Sequence, residues 1–320
     1  MDLFTSFFLL SFGLAILIAA ASEMVESSIY IAKKLAIPKA IIGATILAYG
    51  TSSPEILVSL QANFNNQGGI ALGNVVGSNL ANVCVGLGIL YFYGIKKLKI
   101  KPDFTTSILF LIISTIVVTF HMLDGNIARY EGFIQIGILV LLNILFIREA
   151  RNIQNENTIS FSDYSFFGYK THSLILVSFI LLFSVSVLIF SSNLVVIHAI
   201  ELATLLKIDA SFIGLSIIAV GTSLPEILVT ITSIKKNEFS IAIGNIIGSN
   251  ILNMLAVLGI PALLSNFDIA SDDLNSQILF LLLSSLLLFL PFILDKFNKI
   301  LSVIYFAIYL FALYYFGVNA

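Results

Sequence analysis

One stretch occurs twice in this chain and limits what the rest can be. Residues 43 to 57 read Gly-Ala-Thr-Ile-Leu-Ala-Tyr-Gly-Thr-Ser-Ser-Pro-Glu-Ile-Leu, and residues 214 to 228 read Gly-Leu-Ser-Ile-Ile-Ala-Val-Gly-Thr-Ser-Leu-Pro-Glu-Ile-Leu. Each is an apolar helical pattern interrupted by Gly-Thr-Ser-x-Pro-Glu. Each interruption sets one acid, Glu55 or Glu226, among apolar residues. An acid inside an apolar span is costly to keep and marks a functional position.

The surroundings are as apolar as the motif. Of 320 residues, 58% are apolar and 11% charged, where a soluble domain carries about 25% charged residues. The chain therefore reads as an all-α polytopic membrane protein in a lipid bilayer. A net charge of -2 argues against a nucleic-acid partner. The single cysteine, Cys84, excludes an internal disulfide framework and is read as packing. The start, Met-Asp-Leu-Phe, has no basic n-region and is read as a retained first span rather than a signal peptide.

Ten transmembrane helices are expected. They fall near residues 3–34, 38–62, 70–93, 105–121, 131–149, 172–203, 209–234, 240–264, 276–294 and 300–317. The first and sixth exceed a bilayer's thickness, so they tilt or project. The polar stretch from Arg151 to Lys170 is too short for a further domain. With the N-terminus outside, fourteen of the sixteen Lys and Arg residues fall on the inner side, leaving Arg129 and Lys207 outside. That asymmetry follows the positive-inside rule and predicts both termini outside a cell membrane.

A shift of 171 residues aligns 37–90 with 208–261 without a gap, with 25 of the 54 positions identical. The halves are duplicates. Five spans per half, an odd number, invert the second copy relative to the first. The expected organisation is a first five-helix repeat at 1–150, a cytoplasmic linker at 151–171 and a second five-helix repeat at 172–320.

Pro54 and Pro225 carry no N–H, so the carbonyls of Gly50 and Gly221 lose their helix partners. Proline also disfavours helical geometry in the residue before it, and Gly50 and Gly221 are expected to ease the bend. Carbonyls from Ala48 to Thr51 and from Ala219 to Thr222 are expected to be freed toward protein, water or an ion. Thr51, Ser52, Thr222 and Ser223 add hydroxyls, and Glu55 and Glu226 stand in the first turn of the following half-helix. Such oxygens at one depth suit a hard cation, sodium or calcium.

The next span in each repeat reads Gly-Asn-x-x-Gly-Ser-Asn-x-x-Asn, at 73–82 and 244–253. Ser78 and Asn82 share one helix face, as do Ser249 and Asn253. Asn74, Asn79, Asn245 and Asn250 are further polar groups that need partners. Each piece alone has a plain reading. Gly-x-x-x-Gly is packing grammar, hydroxyls in spans bond their own backbone, and one Pro-Glu is a kink. Two copies at identical spacing favour an ion site. Other ionisable residues read as interfacial: Glu23 and Glu26 at the inner end of span 1, His121, His198 and Glu201 at outer ends. Asp268, Asp272 and Asp273 read as a polar outer loop.

The paired motifs resemble the calcium/cation antiporter superfamily, and within it the prokaryotic sodium/calcium exchangers. The resemblance covers both repeat motifs closely and the ten-span layout as a whole. It implies broken helices at spans 2, 3, 7 and 8 packed round a midplane site, with spans 1 and 6 sliding across it. It implies ligands at the Ala48 carbonyl, Thr51, Ser52, Glu55, Ser78 and Asn82, and at the Ala219 carbonyl, Thr222, Ser223, Glu226, Ser249 and Asn253. Asn253, an Asp in potassium-dependent relatives, points to a potassium-independent exchanger. The expected function is sodium/calcium antiport by alternating access, with the ions as cargo, no cofactor, no enzymatic activity and a monomer as the working unit. The alternatives are a calcium/proton or other divalent-cation antiporter, and a cation channel. An intramembrane hydrolase lacks a His or Lys base beside the motifs.

Overall fold

The computed structural model describes residues 3–93, 104–154, 164–166, 169–206, 219–265, 267–269, 274–294 and 299–319. It is an all-helical multi-pass membrane protein. Helix α1 spans Leu3–Lys34. The second span is built from α2 (Lys39–Ile42), a π-helical turn (Gly43–Leu47), α3 (Ala48–Thr51) and α4 (Ser53–Phe64), with a 45° bend at the break. The third joins α5 (Gly68–Ala81) through a π turn (Asn82–Leu87) to α6 (Gly88–Phe92). Then come α7 (Thr105–Met122), α8 (Arg129–Gln154) and α9 (Leu174–Leu205). The second repeat continues with α10 (Ala219–Thr222), α11 (Leu224–Lys235), α12 (Phe239–Leu252), a π turn (Asn253–Val257) and α13 (Gly259–Leu264). Helices α14 (Leu274–Leu294) and α15 (Lys299–Asn319) complete it. Among the described residues, eight helices are long and apolar enough to cross a membrane, nine with the bent pair. The first half of the expected seventh span, 209–218, lies outside the described residues; its second half is α10 and α11.

Two kinds of span separate by burial. The α5–α6 and α12–α13 spans are 78% and 89% buried, whereas α1 and α9 are 22% and 28% buried. The Gly-Asn spans are therefore core, and the two 32-residue helices lie at the periphery against each other. Their contact is apolar, through Leu17, Ala21, Met24, Leu188 and Val195.

The duplication is visible in the backbone. Asn66 and Asn237, 171 residues apart, both adopt positive φ, 56° and 60°. Each ends its helix with a six-residue closing bond, Gln67 N to the Ala62 carbonyl and Glu238 N to the Ser233 carbonyl, both 2.8 Å. Asparagine tolerates this left-handed C-terminal cap better than most residues. The outcome is the same tight hairpin in both repeats, α4 to α5 and α11 to α12.

Contacts between loops sort by side as an alternating chain requires. On one side, Lys39 pairs with Glu238 at 2.6 Å and Lys236 pairs with Glu26. On the other, strand β1 (Asn126–Ile127) pairs antiparallel with β4 (Phe267–Asp268), and Asn63 donates to the Pro261 carbonyl and to Ser265. Within the polar linker and its end, β2 (Tyr164–Phe166) and β3 (Tyr169–Thr171) pair antiparallel. Tyr164 is buried against α1, within 3.1 Å of the Ser27 hydroxyl and edge-on to Tyr30. No period or turn signature marks these three-residue strands in the sequence.

Helix α12 lies against α2 and the first π turn so closely that its glycines are required. A Cβ on Gly244 would stand 2.3 Å from the Ala40 carbonyl oxygen, and one on Gly248 2.5 Å from that of Ala44. Gly50 and Gly221 lie under the two long helices. A Cβ there would meet Met24 at 2.6 Å or Val196 at 2.4 Å, on the two long helices. Gly248→Ala therefore destabilises the protein by ~1–3 kcal/mol of overpacking, read as a lower thermal midpoint in detergent. Gly137→Ala, with nothing within 4 Å, serves as the tolerated control.

Candidate functional site

The break in each bent span is one residue earlier than proline's effect on its neighbour suggests. Ser52 (φ -84°, ψ 6°) and Ser223 (φ -87°, ψ 0°) leave helical geometry, while Ser53 and Leu224 already belong to the next helix. Proline then sits in the first turn, where its missing N–H is harmless. This places Glu55 and Glu226 in the first turns of α4 and α11, at the ends a helix dipole makes favourable to carboxylates.

The carbonyls are less free than expected. The Ala48 carbonyl accepts a helix bond from Ser52 N at 2.9 Å, with the Thr51 hydroxyl 3.3 Å away. It keeps acceptor capacity through its second lone pair but is not an orphan. The Gly221 carbonyl, which Pro225 deprives of its partner, accepts from the Ser192 hydroxyl of α9 at 3.1 Å. Sequence reasoning did not foresee Ser192; a Ser-Ser pair in an otherwise apolar span was its only trace.

Both acids are buried, Glu55 at 0% and Glu226 at 1% exposure. Each holds one oxygen by a hydroxyl. Ser52 donates to Glu226 Oε1 at 3.0 Å, across the two repeats, and Ser78 donates to Glu55 Oε1 at 3.4 Å. The other oxygen of each, Oε2, has no partner among the described residues. Neither carboxylate enters an ion pair among the described residues. An unpaired buried carboxylate is strongly unfavourable. Two of them, each with one unbonded oxygen, call for a positive charge that the described side chains do not supply.

The predicted oxygens gather here. Thr51, Ser52, Ser78, Asn82, Thr222, Ser223, Ser249 and Asn253 are all buried. Thr51 lies 3.4 Å from Ser249, and Asn253 Nδ2 donates to Asn79 Oδ1 at 3.0 Å. That bond leaves Asn253 Oδ1 without a partner, as are both amide atoms of Asn82 and the Ser223 hydroxyl among the described residues. Ala219 opens α10. Asn82 and Asn253 each begin a π turn, at matching places in the two repeats. The expected breaks in spans 3 and 8 are thus π turns within continuous helices, a form of interruption frequent at functional sites.

Two further residues join the site, Asn74 and Asn245, each touching the threonine of the opposite repeat. The sequence flagged both as polar groups needing partners and gave no reason to prefer threonine. Of the residues read as interfacial, Glu26 is paired with Lys236, and Glu201 accepts from Ser6 and contacts His198. His121 and His198 are both buried, and His121 lies 3.2 Å from Gln135. Cys84 is buried and unbridged, as packing requires. Asp268 lies in β4 opposite Asn126 of β1, and Asp272 and Asp273 lie outside the described residues.

The fold and this paired-acid site define a duplicated multi-pass membrane transporter. The family model "Sodium/calcium exchanger protein" matches the chain twice, over residues 5–148 and 176–318. The chain belongs to that family. Among its relatives, the inner membrane protein YrbG of Escherichia coli is 32% identical over 259 residues, covering 80% of this chain and 79% of that one. The sodium/calcium exchanger MaX1 of Methanosarcina acetivorans is 29% identical over 306 residues, covering 84% and 86%. The solved structure of the sodium-calcium exchanger NCX_Mj soaked with Na+ and Sr2+ superposes with a TM-score of 0.79 at 26% identity, covering 97% of this chain and 98% of that one.

The unbonded oxygens predict a measurable response to cations. Calcium stabilises the purified wild-type protein by up to ~2.7 kcal/mol at a hundredfold excess over its dissociation constant, read as a raised thermal midpoint. The Glu55→Gln/Glu226→Gln double variant loses that response. It is at least as stable as the wild type in calcium-free, sodium-free buffer, because two buried charges are gone.

Proposed function

We propose that this protein exchanges sodium for calcium across a cell membrane by alternating access, with the cations held between Glu55 and Glu226. The observation that carries the reading is the pair of buried acids, one from each inverted repeat, joined by the Ser52–Glu226 bond and each left with one unbonded oxygen. The proposed ligands are the Ala48 and Ala219 carbonyls with Thr51, Ser52, Ser78, Asn82, Thr222, Ser223, Ser249 and Asn253. Oxygen-only coordination of this kind suits calcium and sodium. Amides rather than acids at Asn82 and Asn253 keep the fixed charge at two. One calcium neutralises that charge, as do two sodium ions, and a third sodium gives the loaded states different net charges. A neutralised site lets α1 and α9 slide across it, whereas two bare carboxylates oppose the move, so transport is tied to exchange. The working unit is proposed to be a monomer with both termini outside, the orientation the lysine and arginine distribution supports.

A second reading is proton-coupled exchange of calcium or another divalent cation. It is favoured by the same lack of a partnering cation, because a proton can neutralise each buried carboxylate as sodium does. Radiolabelled calcium uptake into sodium-loaded proteoliposomes separates the two. Uptake follows the outward sodium gradient and is not driven by a pH gradient in sodium-free vesicles; the reverse result establishes the proton reading. Glu55→Gln and Glu226→Gln each reduce uptake to that of protein-free vesicles. Retention of most uptake in either variant would remove that glutamate from the proposed site.

A further inference from the structure

The second residue of each Gly-Asn span, Asn74 or Asn245, is absent from the proposed ligands yet buried beside them. Asn74 is 9% exposed and Asn245 0%. Asn74 Nδ2 donates to the Glu55 backbone carbonyl at 3.2 Å and to the Ser59 hydroxyl at 3.4 Å. Asn245 Nδ2 donates to the Glu226 backbone carbonyl at 3.3 Å. A backbone carbonyl only accepts, so this contact fixes which way each amide faces. The NH2 group lies on the glutamate carbonyl of its own repeat, and Oδ1 points the other way.

Oδ1 then meets the opposite repeat. Asn245 Oδ1 is 3.5 Å from the Thr51 hydroxyl, and Asn74 Oδ1 is 3.4 Å from the Thr222 hydroxyl. Oδ1 carries no proton, so the threonine must be the donor. Thr51 has one proton and three other nearby acceptors, the Ala48 carbonyl at 3.3 Å, Ser249 at 3.4 Å and the Glu226 carboxylate. All three are proposed cation ligands. A proton sent to any of them consumes a lone pair that the cation needs and directs positive charge at the site. Only Asn245 takes the proton without using an oxygen of the site. In the other repeat Thr222 likewise donates to Asn74 Oδ1 while Asn74 Nδ2 holds the Glu55 carbonyl.

We propose that Asn74 and Asn245 are positioning residues of the cation site: each accepts the hydroxyl proton of the opposite repeat's threonine, turning that threonine's lone pairs toward the cation. The proposal rests on the reading of Thr51 and Thr222 as ligands. Contacts of 3.4–3.5 Å are long beside the usual ~2.8 Å of an O–H···O bond, so they shorten when a cation draws the threonine oxygens in. Because each amide also grips the backbone of a site glutamate, cation binding in one repeat pulls on the acid of the other.

A double-mutant cycle tests this. Sodium-loaded proteoliposomes carrying the full-length protein are assayed for calcium uptake against external calcium, with Thr51→Val, Asn245→Ala and the pair together. Each single variant raises the half-saturating calcium concentration about tenfold, the scale of one well-placed hydrogen bond. The pair is no worse than Thr51→Val alone, because without the hydroxyl the amide has no proton to accept. Thr51→Ser, which keeps the hydroxyl, stays near wild type and remains sensitive to Asn245→Ala. An Asn245→Ala effect that multiplies unchanged in the Thr51→Val background overturns the proposal, as does an Asn245→Ala variant with wild-type half-saturation. Unchanged half-saturation in Thr51→Val strikes the ligand assignment beneath it, and uptake surviving in Glu55→Gln strikes the site as a whole. Should Asn245→Ala fail to fold, the same cycle on Asn74 and Thr222 decides.

Discussion

Two carboxylates without a counter-charge, buried in the middle of a protein that is itself surrounded by hydrocarbon, are the constraint on which the rest of this structure depends. Burial of one charge is tolerated only with compensation. Here the compensation from the described residues is partial: a hydroxyl on one oxygen of each acid, and a helix N-terminus beneath each. The proline breaks exist to create those N-termini at this depth. A continuous helix would carry Glu55 and Glu226 on its flank, away from any dipole end. The protein thus holds its acids ionisable and under-satisfied, which is the state a cation can resolve.

Holding them there requires the two repeats to interpenetrate. Thr51 of one repeat reaches Ser249 and Asn245 of the other, Thr222 reaches Asn74, and Ser52 reaches Glu226. Such reach demands backbones in near contact, and Gly43, Gly244 and Gly248 provide it. An added Cβ at any of the three would lie within 2.6 Å of a neighbouring backbone atom. The packing glycines and the site residues therefore belong to one design. In α12 the Gly-x-x-x-Gly pair closes on the other repeat while Ser-Asn-x-x-Asn presents its oxygens, whereas a Cβ on Gly73 of α5 would meet nothing within 4 Å.

Much of this was legible because it was written twice. The duplication, the alternation of sides and the burial of both acids all follow from 171-residue identities and the placement of sixteen basic residues. What escaped was geometry without a composition signature. A π turn at Asn82 and Asn253 differs from an α turn by one hydrogen-bond register, and no residue type announces it. The Ala48 carbonyl was expected to be free and is bonded, because the bend falls at Ser52 and the helix before it stays closed. The close approach of Gly50 to Met24 and of Gly221 to Val196 on the long helices has no trace in the motif itself. The Tyr164 hairpin lies in a linker whose polar composition concealed one well-packed aromatic.

The repeats are near-identical in motif but not in what the motif residues do. Asn253 bonds Asn79, while neither amide atom of its counterpart Asn82 has a partner among the described residues. Ser52 bonds the opposite glutamate; Ser223, its counterpart, bonds nothing among them. Identical residues in different arrangements are what one state of an inverted-repeat carrier must have, since the opposite state is reached when the copies exchange conformations. These differences are conformational, and on the proposed cycle they reverse. A third difference cannot. Ser192 of α9 captures the Gly221 carbonyl, and the residue 171 positions earlier, on α1, is Ala21, with no hydroxyl to offer Gly50. The freed carbonyl of one break thus has a partner on a long helix that the other break lacks. That inequality is written into the sequence, so it stays when the copies exchange conformations.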